Sequence, residues 1–429
     1  MPVTVDTIGT GSEPTHAAEA TLDLIVGMLA APELDGIYLF SSRSEVENPL
    51  LRLLEHAIDP ANTGGHQVDV ISISFDECEA WLSAHDPVYV QNMEVALQKA
   101  AEAGISVFVA AGDSGSASCA DHPVLESDPL AAEAAVFYPA SSPWVISVGG
   151  TQMEIERGSD GVGRVLVEKV WNEVDEGGVG RDAGGGGVST LFEIPAWQKQ
   201  FGLTGTKRHV PDVTGLAGTP YYGSGEDTSY WYGTSAAAPY TAGAWAVILG
   251  ALHAEGLERP PLLAPVLYTL GTDDPRTVFR DITVGDNDPW GKVGCCKAVA
   301  GYDEASGLGS LRFDALAAAL GAPTASLTFT PHDATFAAGT SLTVTLDASA
   351  STTPGGRITS YEWDTDGDGR TDATTTTPTH AVTVSAEGTY SPTVTIRTNL
   401  GRSASAAARY TIAVTTVAVP VTVTPTFTG

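Results

Sequence analysis

The strongest chemical signal in this sequence is a serine inside Gly233-Thr234-Ser235-Ala236-Ala237-Ala238-Pro239, which lies between an aromatic segment and the apolar stretch TAGAWAVILGAL. A serine at a loop-to-helix junction is exposed and sits beside the positive end of the helix dipole, which suits a nucleophile. The commoner job of such a serine is to cap the helix, so the question becomes what base could activate it. Glu19 and Asp23, in Glu19-Ala20-Thr21-Leu22-Asp23, are spaced to share one face of a helix. Two like charges at that spacing repel, so one carboxyl should keep its proton to higher pH. A solvated acidic face is the bland alternative, weakened here by apolar residues on both sides. The third element is Ala110-Ala111-Gly112-Asp113-Ser114-Gly115. Asp113 can donate a hydrogen bond to a developing oxyanion only when protonated, so a hole built from it works in acid. Gly-Asp-Ser-Gly is also an ordinary turn.

These groups need elements to hold them. Thr21 to Ala30 reads as helix, Gly36 to Ser41 and Val68 to Phe75 as strands, Val88 to Ala103 as helix, and Ile105 to Ala111 as a further buried strand ending at Asp113. Such alternation predicts βαβ units and a mostly parallel sheet, an α/β fold with functional groups gathered at the strand ends. After Pro323 the composition turns to Thr, Ser, Ala and Val in short alternating runs such as SLTVTLDAS and YSPTVTIRT, which predicts an all-β sandwich. The expected organisation is residues 1–321, then a β-sandwich over 322–415, then a linker or tail over 416–429.

Lys and Arg number 21 against 52 Asp and Glu, a formal net charge of −31. That balance argues against a nucleic-acid partner, where a basic patch is expected. Self-repulsion in such a chain falls as carboxylates protonate, so an acidic or a saline habitat suits it equally. The cysteines are Cys78, Cys119, Cys295 and Cys296, without the spacing of a zinc site. Cys78 and Cys119 are free to pair in an oxidising compartment, whereas the adjacent Cys295 and Cys296 are left unassigned. The sequence shows no apolar run of the length that spans a bilayer and no signal peptide at its start.

The three chemical elements together resemble the sedolisin family of serine-carboxyl peptidases, which has a subtilisin-like fold. Ser235 matches its nucleophile motif, Glu19 and Asp23 its Glu-x-x-x-Asp pair of base and orienting acid, and Asp113 its oxyanion aspartate. Supporting blocks follow in the family's order: Val70-Ile71-Ser72-Ile73-Ser74, Tyr138 to Pro143, Val148 to Thr151, Gly185 to Ser189 and Val210 to Val213. Phe75 follows Ser74 where an aromatic-glycine pair is common. The resemblance implies a secreted, monomeric endopeptidase that acts in acid on protein or peptide substrates. It also implies a calcium site with side-chain oxygens from Asp281 and Asp303 and backbone carbonyls of Ile282, Val299 and Gly301, oxygen ligands that suit a hard cation. Val299 stands where the family usually has glycine, which a carbonyl ligand does not require.

The C-terminal region resembles a PKD domain, through Leu346 to Ser351, Ser360-Tyr361-Glu362-Trp363-Asp364 and Gly388-Thr389-Tyr390. That implies a spacer or adhesion module in contact with protein or polysaccharide. Its run Asp364 to Asp372 alternates carboxylates and suits a second calcium ion, or is simply an aspartate-rich turn. Two other readings compete. A subtilisin-type peptidase would use Asp6 and His16 with Ser235, but neither stands in the glycine setting that reading needs. A catalytically inactive peptidase domain in a surface or adhesion protein is the other, prompted by Glu19 lying close to the start. The resemblance places the opening strands, a pro-segment and a signal peptide upstream of Met1.

Overall fold

Strands β1 (Val3–Ile8) and β2 (Ile37–Ser42) pair in parallel around helix α1 (Ala17–Ala30), forming a two-stranded sheet of their own. Helix α2 (Pro49–Ala57) leads to strand β3 (Val70–Ile73), the edge of the main sheet. The chain continues through α3 (Pro87–Glu102), β4 (Ser106–Ala110), β5 (Ile146–Arg157), β6 (Gly163–Val170), β7 (Val213–Leu216), α4 (Thr234–Ala254), β8 (Phe279–Arg280) and β9 (Ser310–Leu311). The main sheet runs β8-β9-β7-β5-β4-β3, with β6 added antiparallel to β5. Pairs β3/β4, β4/β5, β5/β7 and β7/β9 are parallel, and β8/β9 is antiparallel. In this computed structural model residues 2–12, 17–120, 133–158, 163–174, 181–218, 221–222, 230–260, 262–273, 275–289, 291, 293–331 and 334–415 are described.

Parallel strands covered by helices read as continuous apolar runs, and β4 is buried at every residue. Val107, Val109 and Ile73 meet the apolar stripe of α3, Val90, Met93, Ala96, Leu97 and Ala100, in one core cluster. Helix α4 has 21 residues and is, by length and composition alone, apolar enough to cross a membrane, which the sequence reading did not single out. In this fold it is an interior helix packed against α1, β3, β4, β5 and β7, with Trp245 Nε1 donating to Ser106 Oγ at 2.9 Å. The same unit holds a fully buried ion pair, Arg208 Nη2 to Asp212 Oδ2 at 2.8 Å. Asp212 also accepts from Tyr268 Oη and from the Ser147 amide, so the pair is satisfied on both sides. The strand expected over Val68 to Phe75 runs only Val70–Ile73, and beyond its end the Ser74 side chain bonds Asp23. Cys78 is bonded to Cys119, with Cα atoms 5.0 Å apart, and Cys295 to its neighbour Cys296.

The contacts of the chain divide it into two units, Met1–Ala318 and Ala319–Gly429. The second is all-β. Leu342–Asp347 pairs with Thr328–Thr330 and Thr379–Val384, while Ile358–Asp364 and Thr393–Thr398 lie at the centre of a four-stranded antiparallel sheet. Inward residues Val344, Leu346, Trp363, Val394, Ile396 and Ile412 form its core. The tail expected over 416–429 lies outside the described residues.

Candidate active site

Ser235 is the second residue of α4, which begins at Thr234 after Gly233 at φ 112°. Only glycine takes that conformation easily, and a Cβ on Gly233 would lie 2.6 Å from Asp113 Oδ2. Thr234 then locks the start of α4 to Asp113: its amide and its Oγ1 both donate to Asp113 Oδ1, at 2.8 and 2.7 Å. The amide of Gly112 donates back to Thr234 Oγ1 at 3.1 Å. Asp113 therefore follows β4 with one oxygen fully engaged and the other beside Gly233. Burial pushes its carboxyl up to about 6, against the lowering pull of the two Thr234 hydrogen bonds.

The acid pair comes from α1. Leu22 and Val26 of that helix form a small core with Ala236 of α4, which sets the face carrying Glu19 and Asp23 against the start of α4. Asp23 Oδ1 accepts from Ser74 Oγ at 2.6 Å, and the same hydroxyl lies 3.4 Å from the carbonyl oxygen of Ser235. Burial pushes Asp23 up to about 7, with Ser74 opposing and the Glu19 charge adding to the shift. Among the described residues no hydrogen bond joins Asp23 to Glu19, and Asp23 Oδ1 is bonded by Ser74 instead. Glu19 Oε1 is buried without a hydrogen-bond partner, and Ser235 Oγ makes no hydrogen bond among the described residues. Catalytic hydrogen bonds commonly form only when substrate is bound.

Sequence reasoning passed over two residues here. Ser74 ends a quoted block, yet its role as the bridge between Asp23 and Ser235 appears only in three dimensions. Asp76 follows two residues later, and desolvation, with the like charges of Asp113, Glu77 and Glu19 adding to it, holds its carboxyl well above the usual range. Asp6 of the competing triad pairs with His56, Oδ2 to Nε2 at 2.8 Å, and His16 lies outside the described residues.

The calcium residues fall on two neighbouring loops. Gly301 donates its amide to Asp281 Oδ2 at 3.0 Å, and Val299 to Asp303 Oδ2 at 2.8 Å. Asp303 Oδ1 is held by the amides of Ala305 and Ser306 and by Ser306 Oγ. Among the described residues no hydrogen bond reaches the carbonyls of Ile282, Val299 or Gly301, so hard oxygen donors remain uncommitted, and the set fits calcium. In the second unit, carboxylate oxygens of Asp364, Asp366 and Asp372 lie within 4.8 Å of one another. Several of these oxygens already accept loop amides, such as Gly367 and Gly369 on Asp364.

A serine at a helix start, an aspartate tied to it through Thr234 and an acid pair reaching the same helix start through Ser74 thus meet on a subtilisin-like sheet. Residues 50–259 match the subtilase family and residues 322–414 the PKD domain. The chain is 32% identical to kumamolisin of Bacillus sp. (strain MN-32), over 72% of this chain and 52% of the relative. It is 32% identical to tripeptidyl-peptidase sed5 of Aspergillus fumigatus, over 56% of this chain and 41% of the relative. The solved structure of Pseudomonas sedolisin, a serine-carboxyl proteinase complexed with two molecules of pseudo-iodotyrostatin, aligns with a TM-score of 0.60 and 28% identity, over 74% of this chain and 83% of that one. The chain is thus a relative of the sedolisins, with a subtilisin-like peptidase fold and a C-terminal PKD domain. It spans about half or less of these curated relatives' own length.

Proposed function

We propose that the protein is an exported, acid-acting serine endopeptidase. The observation that carries this reading is the convergence of Ser235, Asp113 and Asp23 through the hydroxyls of Thr234 and Ser74. Glu19 takes the proton from Ser235 Oγ, which attacks the peptide carbonyl. The C–N bond then breaks as Glu19 returns that proton to the leaving amine, and Glu19 next takes a proton from the water that hydrolyses the acyl-enzyme. Asp23, tied by Ser74, steadies the base. Asp113, with Oδ1 occupied by Thr234, donates a hydrogen bond from its protonated Oδ2 to the oxyanion, and the N-terminal dipole of α4 adds to that stabilisation. Donation by Asp113 requires the protonated form, so activity is lost as pH rises through about 6.

Export is supported by the Cys78–Cys119 bond, which an oxidising compartment favours. A calcium ion held by Asp281, Asp303 and the carbonyls of Ile282, Val299 and Gly301 would tie two loops together. A second, in the PKD-like unit, would be held by Asp364, Asp366 and Asp372. The PKD-like unit serves as a spacer that contacts protein or polysaccharide, and the protein acts as a monomer.

The test is cleavage of casein between pH 2 and 9 by the protein and by Ser235→Ala, with fragments sequenced. Internal cuts in acid that vanish in the variant are expected. Release of tripeptides alone from the amino terminus would replace the endopeptidase reading with an exopeptidase one. No Ser235-dependent cleavage at any pH would leave the inactive-domain reading standing.

A further inference from the structure

The backbone around Asp113 hangs on a glycine run, Gly184-Gly185-Gly186. The Ala183 amide donates to the Asp113 carbonyl at 2.7 Å and the Gly185 amide to the Gly112 carbonyl at 2.8 Å. In return the Gly115 amide donates to the Ala183 carbonyl at 2.9 Å. The run leaves no room for side chains. A Cβ would lie 1.9 Å from the Ala111 oxygen at Gly185 and 2.0 Å from the Glu304 oxygen at Gly186. Glycine solves the crowding, but it loses more conformational freedom on folding than any other residue, so such a run must be held from outside.

Asn287, in the chain between β8 and β9, supplies that hold. It is fully buried, and both its backbone and its side chain are engaged. Its Nδ2 donates to the carbonyls of Gly184 at 3.2 Å and Gly186 at 3.3 Å, on either side of the Gly185 amide that bonds Gly112. A longer contact reaches the Glu304 carbonyl at 3.5 Å. Its Oδ1 accepts from the Cys296 amide at 2.7 Å, and its own amide donates to the Cys296 carbonyl at 3.0 Å. Its carbonyl takes the Ser116 amide at 2.8 Å, three residues past Asp113. An amide side chain offers two N–H donors and an acceptor at once, which neither aspartate nor leucine of similar size can do. Thr234 fixes one oxygen of Asp113, so where the other oxygen lies follows from the backbone that carries it.

We propose that Asn287 is a positioning residue for the oxyanion donor, clamping Gly184 and Gly186 and through them the backbone of Asp113. This rests on the peptidase reading above. Being fully buried, Asn287 meets no substrate and acts through Asp113.

The experiment measures kcat and KM on one peptide cleaved in acid, for the wild type, Ser235→Ala, Asn287→Ala, Asn287→Asp, Asp113→Ala and both Asn287 substitutions combined with Asp113→Ala. Circular dichroism at the assay temperature shows which variants are folded. Asn287→Ala lowers kcat about 10- to 100-fold, the cost of slightly misplacing a group at the reacting centre, with little change in KM. In the Asp113→Ala background the same substitution costs little more, because the group it positions is already gone. A peptide aldehyde, which forms a tetrahedral adduct on a serine, loses affinity for Asn287→Ala by a similar factor. The matching peptide alcohol, which forms no adduct, binds as it does to the wild type. Should Asn287→Ala not fold, Asn287→Asp is read in the same cycle, since it keeps the acceptor for Cys296 but has one donor at most in place of two. Equal losses with and without Asp113, equal weakening of aldehyde and alcohol, or an unchanged kcat in a folded variant overturns the assignment and leaves the peptidase reading intact. If neither variant folds, Asn287 is a requirement of the whole fold and the assignment falls. Absence of any Ser235-dependent cleavage by the wild type overturns both.

Discussion

The two halves of the candidate site are built differently. The nucleophile half, Ser235 with Thr234 and Asp113, grows out of the main sheet and its interior helix, and backbone amides and a buried hydroxyl weld it together. The base half, Glu19 and Asp23, rides on α1, whose neighbouring strands β1 and β2 form a separate two-stranded sheet. A parallel pair alone contributes little stability, so α1 is held chiefly by Leu22 and Val26 against α4 and by the Ser74 hydroxyl. The nucleophile half is therefore set by the core of the fold, and the base half by docking. Stability and activity should come apart between them.

The largest effect expected is from Ser235→Ala, which should lower kcat by about 10⁴-fold or more while leaving the unfolding midpoint nearly unchanged. Comparable activity in the variant would remove the serine from the chemistry. Next comes Asp212→Ala, which strands the buried Arg208 guanidinium and should cost about 3–5 kcal/mol of stability in denaturant titration. An unchanged midpoint would show that the sheet half does not rest on this pair. Asp113→Ala should lower kcat by about 10²–10³ with little change in KM. Asp113→Asn keeps a donor at every pH, so its upper pH limb should move beyond 6, and an unmoved limb would assign that limb elsewhere.

On the base half, Leu22→Ala should cost about 2–5 kcal/mol for α1 docking. Activity should then fall at denaturant concentrations where tryptophan fluorescence of the main sheet is still native; coincident loss of both signals would mean that α1 is not a separate docking element. The smallest effect is on pH dependence. Asp23 and Glu94 are pushed up to about 7 and Asp113 to about 6, mainly by burial, so the folded state holds protons that the unfolded chain releases. The stability these three groups contribute is then full below about 4 and falls as pH rises toward 7. Glu94, whose oxygens take hydrogen bonds from Tyr138 and Ser142, is the probe outside the site. Glu94→Gln should flatten the slope of stability against pH without touching the pH profile of cleavage, and an unchanged slope would place the linkage in other carboxyls.

Much of the site was legible locally. Ser235 at the head of an apolar run, Glu19 and Asp23 at helical spacing, and Asp113 at the end of a buried run each carry their signal within a few neighbours. The alternation of apolar runs likewise announced the parallel sheet, and the change of composition after Pro323 announced the β-rich end. Boundaries were less clear. β3 ends at Ile73, before the expected Phe75, and the full length of α4 emerged only once Thr234 and Pro239 were seen inside it.

What the sequence by itself determined is therefore the inventory: which groups can do chemistry and which elements carry them. Only the tertiary structure decided their partners. Ser74 meets Asp23 across 51 positions of chain and Thr234 meets Asp113 across 121, and no periodicity in the intervening residues encodes either meeting. The same is true of Asp6, which the fold gives to His56. The reason is physical. Hydrophobic periodicity reports which face of one element is buried, whereas hydrogen bonds and charge fields depend on which faces meet after burial.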